Sequence, residues 1–412
     1  MHHAPDLTLP RRTLVLLAVA VFVNFADRGN LSTVAPVLGH ELGLSHTSLG
    51  LLLSSFFWTY APGQLLGGWL AQRFSVRGVL ALGLFLWSEA TFLTGLAHGF
   101  AIILGLRLVL GFGESVVFPA IAQLLAERLP EARRGAANGV VLVGLALGPI
   151  AGTLAGGWIL LHFGWRWVFF VFGSLSMLWL LPWLATPLAA NPRAGTPGGY
   201  GPGYRQIMRQ RIIWGAALGH FCANYTTYLL LTWMPSYLVG DRHFSIAAMT
   251  LTGAAVYGCN AASSVLSGRA ADHFIVRGAS PNIVRKSFII TGTAGVGASM
   301  LVCAAAPTAI MVVCLLLAGF FLGLQTPTMY AIAQTLSGPR AAGRWMGLQN
   351  FVGNIAGIAA PLITGWVVDA TGSFFWAFVI AAILSGLGIL AWAFLIGRIE
   401  PVRWQTETIG NE

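Results

Sequence analysis

Residues 100–127 read FAIILGLRLVLGFGESVVFPAIAQLLAE. Between Phe100 and Leu125 the strongly polar side chains are Arg107, Glu114 and Gln123. A helix of this length, rising 1.5 Å per residue, crosses a hydrocarbon core of ~30 Å. A charge at the centre of a bilayer costs ~2.5–3.5 kcal/mol on insertion scales, so a retained charge marks a cavity or a function. Arg107 and Glu114 stand seven apart, on one helix face and ~10 Å from each other. That is too far for a direct pair but suits two groups bordering one cavity, each facing another helix. Shifted by 208 positions (319 against 111), the stretch meets a second like it. Gly111-Phe112 falls on Gly319-Phe320, and Pro119 on Pro327.

The rest of the chain has the same character. It has 412 residues, 56% of them hydrophobic and only 9% charged, with a mean hydropathy of +0.75. Soluble domains carry about 25% charged residues, so a soluble enzyme is excluded. Twelve apolar stretches of membrane-crossing length are expected at 13–38, 48–71, 79–97, 100–127, 135–160, 165–186, 211–239, 246–271, 286–306, 308–336, 344–368 and 373–397. The first is too long and too marked by Asn, Asp and Arg for a cleaved signal peptide, and reads as a retained span. The 51 glycines and 19 prolines are scattered through the apolar runs, where they read as close helix contacts and helix interruptions. Cys222, Cys259, Cys303 and Cys314 all lie in spans without CxxC spacing, which disfavours disulfides and zinc. The nine histidines do not cluster, and only His220 lies within a span; no metal site is expected. No P-loop, GxSxG or HExxH is present, so neither an ATP-driven pump nor a hydrolase is supported.

The charges that remain are unevenly placed. Of 23 basic residues, Arg28 and Arg107 lie inside spans and Arg166 and Arg242 on one set of loops; the other 19 fall on the opposite set. By the positive-inside rule both termini face the cytoplasm, which requires an even number of crossings. The net charge of +10 is thus a topology signal; a nucleic-acid surface is disfavoured, because no basic face is interleaved with aromatics. The Pro/Gly-rich run NPRAGTPGGYGPGYRQ reads as a flexible connector. The expected organisation is an N-terminal six-helix half (1–186), a cytoplasmic linker (187–210) and a C-terminal six-helix half (211–412). Further matches support duplication: Gly157-Trp158 with Gly365-Trp366 at a shift of 208, and Gly68, Ala71 and Phe74 with Gly268, Ala271 and Phe274 at 200. Two six-helix halves about a central site form a transporter architecture.

Five charges stand within spans: Asp27, Arg28, Glu89, Arg107 and Glu114. A partly dehydrated carboxyl can take up a proton near neutral pH, which makes Asp27 and Glu114 candidate proton carriers. Arg28 is a natural anchor for a carboxylate, since its planar fork binds such a group bidentately. Glu89 reads as structural or membrane-facing. Uncharged hydrogen-bonding groups gather in spans two, seven, ten and eleven: Tyr60, Asn224, Tyr225, Tyr228, Gln325, Tyr330, Gln349, Asn350 and Asn354. A hydroxyl-rich ligand would need such partners.

These motifs resemble the major facilitator superfamily, and within it the anion:cation symporter family of bacterial galactonate, glucarate and hexuronate transporters, sialin and the vesicular glutamate transporters. The carriers are ADRGNLSTVAP in span one, GGWLAQRFSVRGVL after span two, LWSEAT in span three, RLVLGFGESVVFPA in span four, NYTTYLLLTWMPSYL in span seven and GRWMGLQNFVGNIAGIAAPLITG in span eleven. The resemblance implies an all-α membrane protein of twelve transmembrane helices in two pseudo-symmetric halves. It implies that Asp27 and Glu114 are the protonatable pair, Arg28 the anion anchor, Arg107 a partner in charge coupling and Tyr60 a substrate contact. Gln349, Asn350 and Asn354 are softer carry-overs. Arg73, Arg77 and Asp272 would belong to gating loops. The loop after span two departs from the family's GxLaDRxGxR, with Gln72 in place of the acid and Ser75 in place of a glycine.

The expected activity is proton-coupled symport of a small organic anion, most simply a sugar acid, by alternating access in the inner membrane. No cofactor beyond the coupling proton and a monomeric state are expected. The competing readings are an exporter or antiporter of the same fold, suggested by Gly144, Gly148, Pro149 and Gly152 in span five, an importer of aromatic carboxylates, and a non-transporting sensor.

Overall fold

The computed structural model describes residues 9–129, 131–187 and 202–404. Among them are twelve long helices in the expected places: α1 Arg11–Glu41, α2 His46–Arg73, α3 Val76–Thr94, α4 Phe100–Leu125, α5 Glu131–Phe163, α6 Trp165–Leu184, α7 Arg211–Ser236, α8 Ile246–Val276, α9 Pro281–Ala305, α10 Thr308–Gly338, α11 Ala341–Thr371 and α12 Phe375–Leu395. No strand occurs among the described residues, and the chain is an all-α membrane protein. The side chains of Gln72, Arg133, Arg134 and Arg340, together with Arg193 and most of the expected 187–210 connector, lie outside the described residues.

Serines set several helix starts. The hydroxyls of Ser45, Ser75 and Ser245 accept hydrogen bonds from the backbone N–H of Ser48, Gly78 and Ala248, each at 3.1 Å, and so cap α2, α3 and α8. Ser75, the departure from the family loop, therefore has a local role as the cap of α3. Among the described residues, nine of the twelve helices are apolar enough to span by composition alone. The other three, α2, α7 and α8, all pack against the opposite half, where lipid does not impose uniform apolarity.

The duplication is visible in how helices touch. A β-carbon on Gly111 of α4 would strike the carbonyl oxygen of Phe56 on α2; one on Gly319 of α10 would strike that of Val256 on α8. A β-carbon on Gly63 would come within 2.8 Å of that of Ser115, and one on Gly323 within 2.9 Å of that of Ser263. Glycine and serine have exchanged helices between the two halves, but each pair keeps one residue without a side chain where the backbones close. These equivalences use the same two offsets as the sequence, 208 for α4 with α10 and 200 for α2 with α8.

The named contacts between halves lie toward the face opposite Arg11 and Arg398. Gly50 of α2 packs on the carbonyl of Pro361 and Gly365 of α11 on that of His46; Gly157 of α5 lies against Thr250 of α8. Asp369, in the last turn of α11, accepts hydrogen bonds from the backbone N–H groups of His46 (3.0 Å) and Thr47 (2.7 Å). Its Oδ1 also lies 2.9 Å from Nδ1 of His46. The imidazole sits among Trp233 and Phe374 of the second half.

Candidate substrate and proton site

Three helices of the first half lose regular hydrogen bonding, and Asp27, Arg28 and Glu114 sit beside two of those breaks. α1 turns at Gly29, directly after Asp27 and Arg28; α4 breaks at Val116, two residues beyond Glu114; α6 breaks at Trp179, three beyond Ser176. In α4 and α6 a proline follows three residues later, Pro119 and Pro182. Proline has no N–H for the carbonyl one turn back, and this loosens the ladder.

Arg28 and Glu114 meet directly. Nη2 of Arg28 donates to Oε2 of Glu114 at 2.9 Å and to Oδ1 of Asn24 at 3.1 Å. Both charged side chains are almost fully buried, at 6% and 0% exposure. The guanidinium lies over the rings of Phe25 (4.5 Å), Tyr60 (4.6 Å) and Phe56 (5.2 Å). Arg107 is also buried, with its guanidinium 5.3 Å from the Phe56 ring. The ion pair uses one nitrogen only: Nε of Arg28 and Oε1 of Glu114 are buried without a hydrogen-bond partner among the described residues, as is Nε of Arg107. A buried pair of this kind leaves an uncompensated charge if either member departs unreplaced.

Asp27 faces the other way, as the ~100° step between successive helical residues requires. Its carboxylate accepts from the Ser176 hydroxyl of α6 (2.8 Å) and from Nδ2 of Asn30 (3.2 Å).

The second half contributes neutral groups. Tyr228 of α7 donates to Oδ1 of Asn354 on α11 at 2.5 Å, and Asn354 donates onward to the Asn350 carbonyl at 2.8 Å. The Tyr228 ring packs on Phe57 of α2 with centroids 4.4 Å apart, and its hydroxyl lies within electrostatic reach of Arg28 and Tyr60. Tyr330 of α10 is 36% exposed and packs edge-on to His220. The central group is thus Arg28, Glu114, Arg107, Tyr60, Tyr228 and Asn354, with Asp27 one residue behind Arg28.

The remaining expected residues have local partners. Gln325 turns to α9, where it accepts from Thr293 at 2.8 Å; Gln349 accepts from Trp345 one turn back at 3.0 Å; Asn224 donates to the Gly353 carbonyl at 3.2 Å. Tyr225 is buried beside Thr364 of α11. Arg77 donates to the Leu184 carbonyl inside its own half, Arg73 is exposed, and Asp272 is exposed without an ion pair among the described residues. Glu89 is half-buried in α3, with no hydrogen bond or ion pair among the described residues. Sequence reading passed over Asn24, four residues before Arg28 and therefore on its face, a signal that was present. Ser176 carried none, being one of two serines in a largely apolar run.

The family model described as Major Facilitator Superfamily matches residues 17–281 and 282–411. The probable galactarate/D-glucarate transporter of Bacillus subtilis is 32% identical, over 94% of this chain and 92% of its own. The probable sulfoacetate transporter of Cupriavidus necator is 30% identical over 93% of each chain. The chloroplastic ascorbate transporter of Arabidopsis thaliana is 31% identical over 93% of this chain and 74% of its own. Among solved structures, a bacterial homologue of the human lysosomal transporter Spinster, inward-facing and occupied, superposes with a TM-score of 0.78 at 18% identity, covering 94% of this chain and 97% of that one. The twelve-helix architecture, the family match along nearly the whole chain and these full-length relatives together establish that the chain belongs to the Major Facilitator Superfamily and is a multi-pass membrane transporter, not an enzyme.

Proposed function

We propose that the protein is a proton-coupled symporter that imports a small organic anion, a sugar acid such as a hexonate, hexuronate or hexarate, by alternating access. In this reading it sits in a bacterial cell membrane with both termini in the cytoplasm, and the face closed by His46 and Asp369 is the outer one. The observation that carries the proposal is the single-armed, fully buried pair of Arg28 with Glu114, set beside Tyr60, Tyr228 and Asn354. Arg28 has spare donor capacity for a carboxylate and an internal anion that holds its place meanwhile. When Glu114 takes a proton it releases the guanidinium, and the substrate carboxylate takes over the charge that burial forbids to stand alone. Hydroxyls along the substrate then find Tyr60 on one half and Tyr228 with Asn354 on the other, so a bound anion joins both halves. Asp27 supplies a second proton-exchanging carboxyl. Relatives named for galactarate, glucarate, sulfoacetate and ascorbate support a small, oxygen-rich anion.

Flux into proteoliposomes tests this. D-glucarate or galactarate is expected to accumulate above its external concentration when the outside is acidic, and to stop doing so when a protonophore collapses the gradient. Sulfoacetate, ascorbate and an aromatic acid such as benzoate serve as competitors that grade the site for size and hydroxyl content. Accumulation that ignores the gradient, or that requires an acidic interior, would overturn symport.

A further inference from the structure

The two buried carboxylates are held in chemically opposite ways. Glu114 is held by a cation, which suits only its ionised form. Asp27 touches no cation among the described residues: its oxygens accept from an alcohol, Ser176, and a primary amide, Asn30, and both kinds of group donate and accept. The charged groups that face it are few. Glu114 of α4 lies within electrostatic reach, and the Arg28 guanidinium next to it in sequence is turned onto Glu114. Among the described residues, α3 brings the Trp87 indole, a donor only, α6 brings Ser176, and Gly156 of α5 lies near Asn30; none of these is charged. Asn30 is 2% exposed, and its Oδ1 is buried with no hydrogen-bond partner among the described residues. A buried unpaired amide oxygen is costly, so one that persists beside a titratable group calls for an account.

We infer that Asn30 is a positioning residue for proton exchange at Asp27, its amide turning end for end as the carboxyl changes state. With Asp27 ionised, the NH2 of Asn30 and the OH of Ser176 both point at the carboxylate. When a proton arrives from water and binds a carboxylate oxygen, the new O–H needs an acceptor. A turned Asn30 offers its Oδ1, and loss of the proton reverses the turn. Nothing else is transferred. Asn30 is the first residue after the Gly29 turn, so this exchange is placed beside that interruption of α1. The inference rests on the reading of Asp27 as a proton carrier.

The test is the pH profile of substrate uptake in proteoliposomes, with D-glucarate and galactarate as probes. Asn30→Leu keeps the volume and removes both donor and acceptor. The ionised form loses a charge-assisted bond and the protonated form a weaker neutral one, so the balance moves toward the protonated form and the alkaline limb of uptake is expected to move up by about one pH unit. Asn30→Gln, which retains an amide, restores the native profile. In an Asp27→Asn background, Asn30→Leu is expected to move nothing. A folded Asn30→Leu protein with the native profile overturns the role of Asn30. An Asp27→Asn protein whose uptake keeps the native pH dependence instead overturns Asp27 as carrier. If Asn30→Leu does not fold, Ser176→Ala, which deletes the other two-way partner, is expected to give the same alkaline shift. An unmoved profile there overturns the two-way shell.

Discussion

Asp369 at the end of α11 closes on His46 at the start of α2, through the imidazole and two backbone N–H groups. The carboxylate meets the positive end of the α2 dipole, so one side chain from the second half caps a helix of the first. Both side chains are partly exposed, at 50% for His46 and 31% for Asp369, which discounts the bond to about 1 kcal/mol.

Asp369→Asn is therefore expected to shift the balance of conformations about fivefold toward the one open at this face, since ~1 kcal/mol is a factor of about five. Spin or fluorescence labels on the loop ends near residues 43 and 372 would report a longer separation in the variant. An unchanged distance distribution would show that the glycine contacts of α2 with α11 hold this face shut unaided.

Glu114→Gln leaves Arg28 buried beside a neutral partner. Breaking such a pair costs about 3–5 kcal/mol, so the unliganded variant is expected to melt earlier than the native protein. A carboxylate ligand replaces the missing anion, and saturating glucarate is expected to recover most of that loss by mass action. The variant would exchange labelled for unlabelled substrate yet fail to concentrate it under a proton gradient. Concentrative uptake by Glu114→Gln would remove this residue from the coupling scheme.

Fold and charges were legible for different reasons. Span length and loop charge follow from the bilayer, so twelve helices could be read one at a time. Gly111 and Gly319 disclosed the duplication because backbone contact leaves no tolerance for a side chain. What one span cannot disclose is the rotation of its neighbour. Glu114 was expected to face a group on another helix, but that the group is Arg28 depends on how α1 rolls against α4. Gln325 reads as a ligand contact, and nothing in its own span discloses that its side-chain oxygen accepts from Thr293 of α9. His46 and Asp369 stand at span ends, where polar residues are ordinary, so nothing singled them out before α2 and α11 were seen together.

The glycine pairs give a test of the pseudo-symmetry. Gly111→Ala and Gly319→Ala each place a methyl group against a carbonyl oxygen of the neighbouring helix, and overpacking of this sort costs about 1–3 kcal/mol. Both variants are expected to melt several degrees lower and to about the same extent. Gly105→Ala, in the same α4 helix but with open space around the added carbon, serves as the control and is expected to melt as the native protein does. A large loss at one glycine of the pair and none at the other would show that the two halves do not share this contact.

Arg28→Lys separates charge from geometry. Lysine keeps the positive charge for Glu114, so the buried pair persists and the fold is expected to survive. What it lacks is the planar fork that stacks on Phe25, Tyr60 and Phe56 and offers a carboxylate two parallel N–H groups. If Arg28 only balances Glu114, the exchange is harmless and ligand binding stays native. If Arg28 receives the substrate carboxylate, binding weakens at least tenfold, about 1.4 kcal/mol, while the melting temperature without ligand barely moves. Titrating glucarate against the melting temperature of both proteins decides between the two, because only the ligand-dependent part of the shift reports the fork.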